Sequence, residues 1–369
     1  MWRRRSLHVS DPQCGHVAGQ PGVLAGRRRG GGGGGAQSAR RRIRRIRHAG
    51  DQDEEQHRDR RRREDRVVQR QRGKHHGGEP APAGSVIRVN TADLQGRTFF
   101  VTGANSGIGR ALVEALAARG GAVVLATRSE ERTRPVLSAI HSRYPGARAQ
   151  WVSLDVSDLT SVRRAAQTFL ASGHPVDVLV NNAGIAGTRA LSADGYDLTY
   201  ATNHIGPFLL TNLLLPRVRE SSQGRVVNVA SAAHMMVKRI DWSVLERRAT
   251  PKRSGFADYA VTKLMNVLHA KELARRVGGT RVTTYALHPG AVASNIWRAL
   301  PRPLQWFGKL FMLSNEQGAD TPLYCATAPE LATTSGRYYD RRREVRPNPL
   351  AEDEALAKEL WARTEAAVA

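Results

Sequence analysis

The most restrictive stretch of this sequence runs from Thr98 to Leu116. It starts as an unbroken apolar segment, Thr98-Phe99-Phe100-Val101-Thr102, the pattern of a strand buried on both faces. It then passes through Gly103-Ala104-Asn105-Ser106-Gly107-Ile108-Gly109. Beyond that turn, apolar Ile108, Leu112, Val113 and Leu116 recur at helical spacing. Strand, glycine-rich turn and helix in that order open a βαβ unit. Glycine reaches backbone conformations closed to other residues and lets main-chain N–H groups approach a ligand. The start of a helix offers unpaired N–H donors and a partial positive charge, which suit a pyrophosphate. Gly103, Asn105, Ser106, Gly107, Ile108 and Gly109 are therefore candidate dinucleotide contacts, with a plain loop as the alternative.

The alternation continues downstream. Strands are expected at Ala122–Ala126, near Gln150–Leu154, and at Val176–Val180, Arg225–Val229 and Arg281–Leu287. Helices are expected around Arg132–Arg143, at Leu159–Leu170, over most of Asp197–Arg219 with a kink at Gly206-Pro207, at Phe256–Val277, and from Ala351 to Ala367. The fold class that follows is α/β: a Rossmann-type doubly wound parallel sheet with helices on both faces. Residues 296–314 read as an irregular flap rich in large apolar side chains.

The first quarter of the chain is different. Residues 1–90 carry 22 Lys and Arg against 9 Asp and Glu, six consecutive glycines, and few apolar residues. Such a segment does not bury enough surface to offset its chain entropy. The expected organisation is a disordered Arg/Gly-rich tail over 1–85, including the possibility of a wrongly chosen start, and a single catalytic domain over 86–369. A basic arm for nucleic acid is the alternative use of the tail, ranked below a solvated one. Two cysteines, Cys14 and Cys325, exclude a disulfide framework. No run of about 18 apolar residues occurs, so no spanning helix is expected, and a cytoplasmic location is the expectation.

Further motifs sit at predicted strand ends. Arg128 ends the second strand where an acid would bind the ribose hydroxyls of NAD, and a guanidinium there favours the 2′-phosphate of NADP(H). Asp155 ends the third strand and is either an acceptor for the adenine amino group or an N-cap, a role open also to Asp158. Asn181-Asn182-Ala183-Gly184 ends the fourth, with small residues that let the backbone lie against a cofactor. Tyr259 and Lys263 lie one helical turn apart. An ammonium beside a phenol stabilises phenolate, so Lys263 is expected to lower the pKa of Tyr259. Asp93, His234 and His269 carry no chemistry that the sequence assigns.

Taken together, the order and spacing of these motifs resemble the short-chain dehydrogenase/reductase superfamily, over about Leu94 to Ala367. Asn228-Val229-Ala230-Ser231, His288-Pro289-Gly290 and the run Thr202–Leu214 look like its retinol dehydrogenase and WW-domain oxidoreductase branch, without a WW domain. The resemblance implies an NADP(H)-dependent oxidoreductase (EC 1.1.1.-), with NAD(H) less favoured, that acts on a lipophilic aldehyde, ketone or alcohol. In that reading Tyr259 exchanges the proton, Lys263 holds the nicotinamide ribose, Ser231 binds the substrate oxygen, and Asn203 holds a water in a proton relay. Asn182, Ala183, Gly184, Pro289, Gly290, Val292 and Ser294 would line the cofactor, and no metal is implied. The insert bearing Lys238, Arg239, Arg247, Arg248, Lys252 and Arg253 is a solvated loop or an entrance element. A homodimer or homotetramer is expected through the helices near 203–219 and 256–277. The competing functions are a catalytically idle NADP(H)-binding module and nucleic-acid binding through the tail.

Overall fold

The computed structural model describes residues 93–188, 190–243, 255–290 and 313–369. The chain divides into the units Met1–Val86 and Ile87–Ala369, and all described residues lie in the second. The expectations for residues 1–85 therefore lie outside the described residues.

The strands are β1 Thr98–Thr102, β2 Ala122–Thr127, β3 Ala149–Ser153, β4 Val178–Asn181, β5 Arg225–Val229, β6 Thr283–His288, β7 Arg337–Asp340 and β8 Arg343–Glu344. They form one sheet in the order β3-β2-β1-β4-β5-β6-β7-β8. Every pair is parallel except β7–β8. The strand order reverses between β1 and β4, which opens a crevice at the carboxyl ends of the strands. The sequence pattern predicts six strands. The edge pair β7 and β8 is short, polar and joined by Arg341 and Arg342 in the left-handed region, so it carries no apolar run to announce it.

The helices are α1 Gly107–Ala118, α2 Glu130–Arg143, α3 Leu159–Ala171, α4 Gly206–Arg219, α5 Gly255–Arg276, α6 Asn315–Thr327 and α7 Glu354–Val368. Successive strand side chains point to opposite faces, and β1 feeds both layers. Phe99 and Val101 pack with Leu112 of α1, Ile140 of α2 and Ala326 of α6. Phe100 packs with Val162 of α3, Leu210 of α4, Leu264 of α5 and Leu360 of α7. The sheet is thus covered on both faces, as the doubly wound expectation requires.

The expected helix over Asp197–Arg219 is present from Leu198 onward, with a change of helix type in its course. Ala201–Ile205 form a π-helical segment that runs directly into α4. A Cβ at Gly206 would lie 1.7 Å from the carbonyl oxygen of Val156, so only glycine lets the chain pass there. Single π-turns of this kind accumulate at functional sites, and this one carries Asn203.

Candidate active site

A cleft of about 870 Å³ opens at the carboxyl end of the sheet. Its floor is the turn between β1 and α1. Gly103 and Gly107 have φ of 66° and 56°, in the region that favours glycine. A Cβ on Gly109 would lie 2.5 Å from both the Gly103 carbonyl oxygen and Asn182 Nδ2, so the helix packs on its own turn through bare backbone. Ser106 is the N-cap of α1 in extended conformation, and its side chain caps none of the helix N–H groups. Those donors face the cleft, which Asn105, Ser106, Gly107, Ile108 and Gly109 line. A cradle too tight for side chains, at a helix N-terminus, fits a pyrophosphate.

Arg128, just past β2, lines the same cleft with its side chain 67% exposed, and its Nη1 stands 3.8 Å from Asp155 Oδ2. Arg132, in the first turn of α2, lines it too. In the sequence Arg132 is one of several basic residues in the helix that follows, and nothing there singles it out. The preceding Thr127 is buried, its hydroxyl 2.5 Å from that of Thr133 and accepting from Trp151 Nε1 at 3.0 Å. Asp155 accepts from the Ser157 N–H at 2.9 Å and the Ser157 hydroxyl at 2.6 Å through Oδ1. It is therefore not the N-cap of α3. Asp158 holds that place, accepting from Thr160 and Ser161 N–H.

Asn182, Ala183 and Gly184 form the opposite wall. Thr102 Oγ1 accepts from the N–H of both Asn182 and Ala183, and Asn182 Nδ2 donates to the Thr102 carbonyl at 2.8 Å. Asn182 thus fastens the end of β4 to the glycine turn. A Cβ at Gly184 would lie 3.2 Å from Asn203 Oδ1 and 3.3 Å from Lys263 Nζ. The glycine brings the cleft wall against two polar side chains from distant elements. Asn203 is buried, its Oδ1 accepting from Ile185 N–H at 2.8 Å and both Nδ2 hydrogens donated, to Ile185 O at 2.9 Å and Thr262 Oγ1 at 3.0 Å.

Ser231 lies two residues past β5 and caps a short 3-10 turn, Ala232–Met236, accepting from Ala233 N–H. Tyr259 and Lys263 lie on the buried face of α5. Burial pushes the Tyr259 phenol above its usual pKa, and a hydrogen bond with Ser231 opposes the rise. Burial lowers Lys263 to about 8. Its ammonium donates to the Val229 carbonyl at 2.9 Å and lies 5.5 Å from the centre of the Tyr259 ring. This corrects the expectation that Lys263 would draw the phenol down. The lysine is turned to the backbone, and burial of the phenol sets the direction of its shift. Pro289 and Gly290 follow β6 on the same side of the sheet and do not line the cleft, and neither do Tyr259 and Lys263. Val292, Ser294 and the flap up to 312 lie outside the described residues, as do Arg247, Arg248, Lys252 and Arg253. Lys238 and Arg239 are exposed.

A cleft at the point where strand order reverses, floored by a glycine cradle at a helix N-terminus, defines a dinucleotide-binding Rossmann domain. The family model described as short chain dehydrogenase matches residues 97–244. Bovine dehydrogenase/reductase SDR family member 13 is 42% identical over 278 residues, spanning 73% of this chain and 72% of that protein. Human retinol dehydrogenase 12 is 39% identical over 282 residues, spanning 76% and 88%. Among solved structures, an uncharacterized protein from Mycobacterium paratuberculosis is 32% identical with a TM-score of 0.61, covering 76% of this chain and 96% of that one. A 3-ketoacyl-(acyl-carrier-protein) reductase from Brucella melitensis, complexed with NADH, is 25% identical with a TM-score of 0.54, over 67% and 97%. The chain belongs to the short-chain dehydrogenase family. Among the described residues, no helix is long and apolar enough to cross a membrane.

Proposed function

We propose that the chain is an NADP(H)-dependent oxidoreductase acting on a lipophilic aldehyde, ketone or alcohol, with Tyr259 as the proton donor and acceptor. The observation that carries this reading is the junction at Gly184, where the wall of the dinucleotide cleft meets Lys263 and Asn203, with the Tyr259 ring centre 5.5 Å from the Lys263 ammonium. When bound, the nicotinamide supplies or accepts hydride. The main-chain N–H groups at the start of α1 hold the pyrophosphate. Arg128 and Arg132 offer two guanidinium groups to a 2′-phosphate, and Thr127-Arg128-Ser129 holds no acid to repel it.

At the reacting end, the Ser231 hydroxyl orients the substrate oxygen, and the Tyr259 phenol gives that oxygen a proton in reduction or takes one in oxidation. Lys263, charged below about pH 8, holds the nicotinamide ribose and returns a proton to the tyrosine. Asn203 braces the wall beside it and holds the relay water. The names of the relatives, retinol dehydrogenases among them, support an apolar substrate. Met235, Met236 and Phe256, exposed large apolar side chains beside Ser231 and Tyr259 in sequence, support it as well. A cytoplasmic homodimer or homotetramer completes the proposal, although α7 already covers part of α4 and α5. Light scattering at working concentration tests the assembly.

The test of the chemistry is NADPH oxidation by the purified chain over a panel of apolar aldehydes and ketones, retinal included, with NADH and Tyr259→Phe alongside. The expected result is turnover with NADPH preferred, and a loss of at least about 10²-fold in kcat for Tyr259→Phe with unchanged NADPH affinity. NADPH binding without turnover on any substrate would leave a binding module in its place.

A further inference from the structure

Ser231 sits at a weak point of the fold. It follows the last residue of β5 by two positions, and the next five residues form a single 3-10 turn. Such turns have poor hydrogen-bond geometry and rarely hold a side chain in place by themselves. Three of the five residues of this one, Ala232, Met235 and Met236, are exposed. The turn itself holds the Ser231 hydroxyl by one bond, from Ala233 N–H at 3.2 Å, and a partner outside the turn adds to it.

The ring of His234 is fully buried and folds back on the serine that precedes it. His234 Nδ1 lies 2.7 Å from the Ser231 carbonyl oxygen. The other ring nitrogen, Nε2, lies 3.1 Å from the backbone N of Asn348, 114 residues away. A backbone N–H can only donate, so Nε2 accepts. The imidazole is therefore neutral, and Nδ1 carries the proton that it donates to the Ser231 carbonyl. Asn348 closes the arrangement. Its Nδ2 donates to the carbonyls of His234 at 2.9 Å and Val237 at 2.8 Å, and its Oδ1 accepts from Leu350 N–H at 2.9 Å. The Tyr338 ring packs 4.7 Å from the imidazole. Both side chains are satisfied and buried, and they join the start and the end of the 3-10 turn to the C-terminal part of the chain.

We propose that His234 and Asn348 are positioning residues for Ser231, a clasp that sets the direction of its hydroxyl toward Tyr259. The proposal rests on the reading above in which Ser231 orients the substrate oxygen. It gives the segment after β8 a part in catalysis although none of its described residues lines the cleft.

The experiment compares His234→Ala, His234→Asn and Asn348→Ala in the full chain, each alone and with Ser231→Ala. His234→Asn keeps an N–H near the Nδ1 position and loses the Nε2 acceptor. For His234→Ala and Asn348→Ala, kcat falls by about tenfold or more, as expected for a misplaced reacting group. KM and NADPH affinity stay within about twofold, because the cleft is made by other residues. His234→Asn recovers part of the loss. In the Ser231→Ala background His234→Ala adds little, since it acts through the serine. Equal losses with and without Ser231, or NADPH affinity falling in parallel with kcat, overturn the proposal in favour of general loosening. A second readout needs no turnover: titration of the Tyr259 phenol by carbon-13 NMR, assigned with Tyr259→Phe. His234→Ala shifts the phenol pKa upward as the Ser231 hydrogen bond is lost, and His234→Asn moves it back. An unmoved titration overturns the clasp even in an active enzyme. In a wild type that turns over no substrate, the reductase reading fails, and this titration alone decides the clasp.

Discussion

Gly206 is a residue whose identity is decided by another segment. The sequence offers Gly206-Pro207 as a kink signal, and the π-turn before it agrees. The sharper reason is that a methyl there would stand 1.7 Å from the Val156 carbonyl oxygen. Gly206→Ala therefore forces backbone apart, and its urea midpoint should fall by the equivalent of about 1–3 kcal/mol or more. Arg128 makes a prediction of a different kind. It is mostly exposed and makes one long contact, with Asp155 at 3.8 Å, so its removal costs the fold little. Arg128→Ala should weaken NADPH binding about tenfold and leave NADH binding nearly unchanged, since one charge-assisted contact to phosphate contributes about 1.5 kcal/mol or more. Calorimetric titration with both dinucleotides measures this, and equal weakening of the two would remove the specificity role.

Between elements, α7 is the piece that closes the back of the site. Trp361 meets Phe208 of α4 with ring centres 4.7 Å apart, and the Arg276 guanidinium of α5 lies 4.2 Å over the indole. His204, next to Asn203 in the π-segment, bonds to Thr364 Oγ1 at 3.0 Å. The helix that looks peripheral in the sequence therefore braces the segment that carries Asn203. Trp361→Ala should cost about 3–5 kcal/mol. A thermal midpoint lowered accordingly, with NADPH affinity retained at low temperature, is the expected result. A variant as stable as wild type would mean that α7 does not carry this load.

Over the whole molecule, buried bases set the response to pH. Burial lowers His204 to about 3 and His269 to about 4, from an ordinary value near 6.5. His269 Nδ1 takes a hydrogen bond from Asn228 Nδ2 at 3.2 Å, which needs the ring neutral. Between pH 6.5 and about 4 the unfolded chain binds protons that the folded one refuses. The histidine contribution is therefore complete above about pH 6.5 and falls as pH drops, by about 1.4 kcal/mol per unit for each histidine. Lys263, lowered to about 8, works in the same sense higher up: stability rises as pH goes from about 8 towards 10.5. Urea midpoints measured at several pH values give the slope, and His269→Gln should flatten its acid branch. An unchanged slope would mean that the histidine is charged in the folded state.

What the sequence by itself determined is local in origin. The β1–turn–α1 unit, the strand–helix alternation, the glycine cradle and the candidate residues on strand ends all follow from periodicity and from what glycine permits. The resemblance to the short-chain dehydrogenases adds the tyrosine, lysine, serine and asparagine. What only the tertiary structure decided depends on atoms far apart in the chain. The β7–β8 edge carries too few apolar residues to be read. Asp155 and Asp158 are told apart only by which N–H groups they meet. The protonation of Tyr259 and Lys263 follows from how much water burial removes, which spacing on a helix does not reveal. His234 and Asn348, separated by 114 residues, become one clasp because the segment after β8 folds back onto the turn that follows β5.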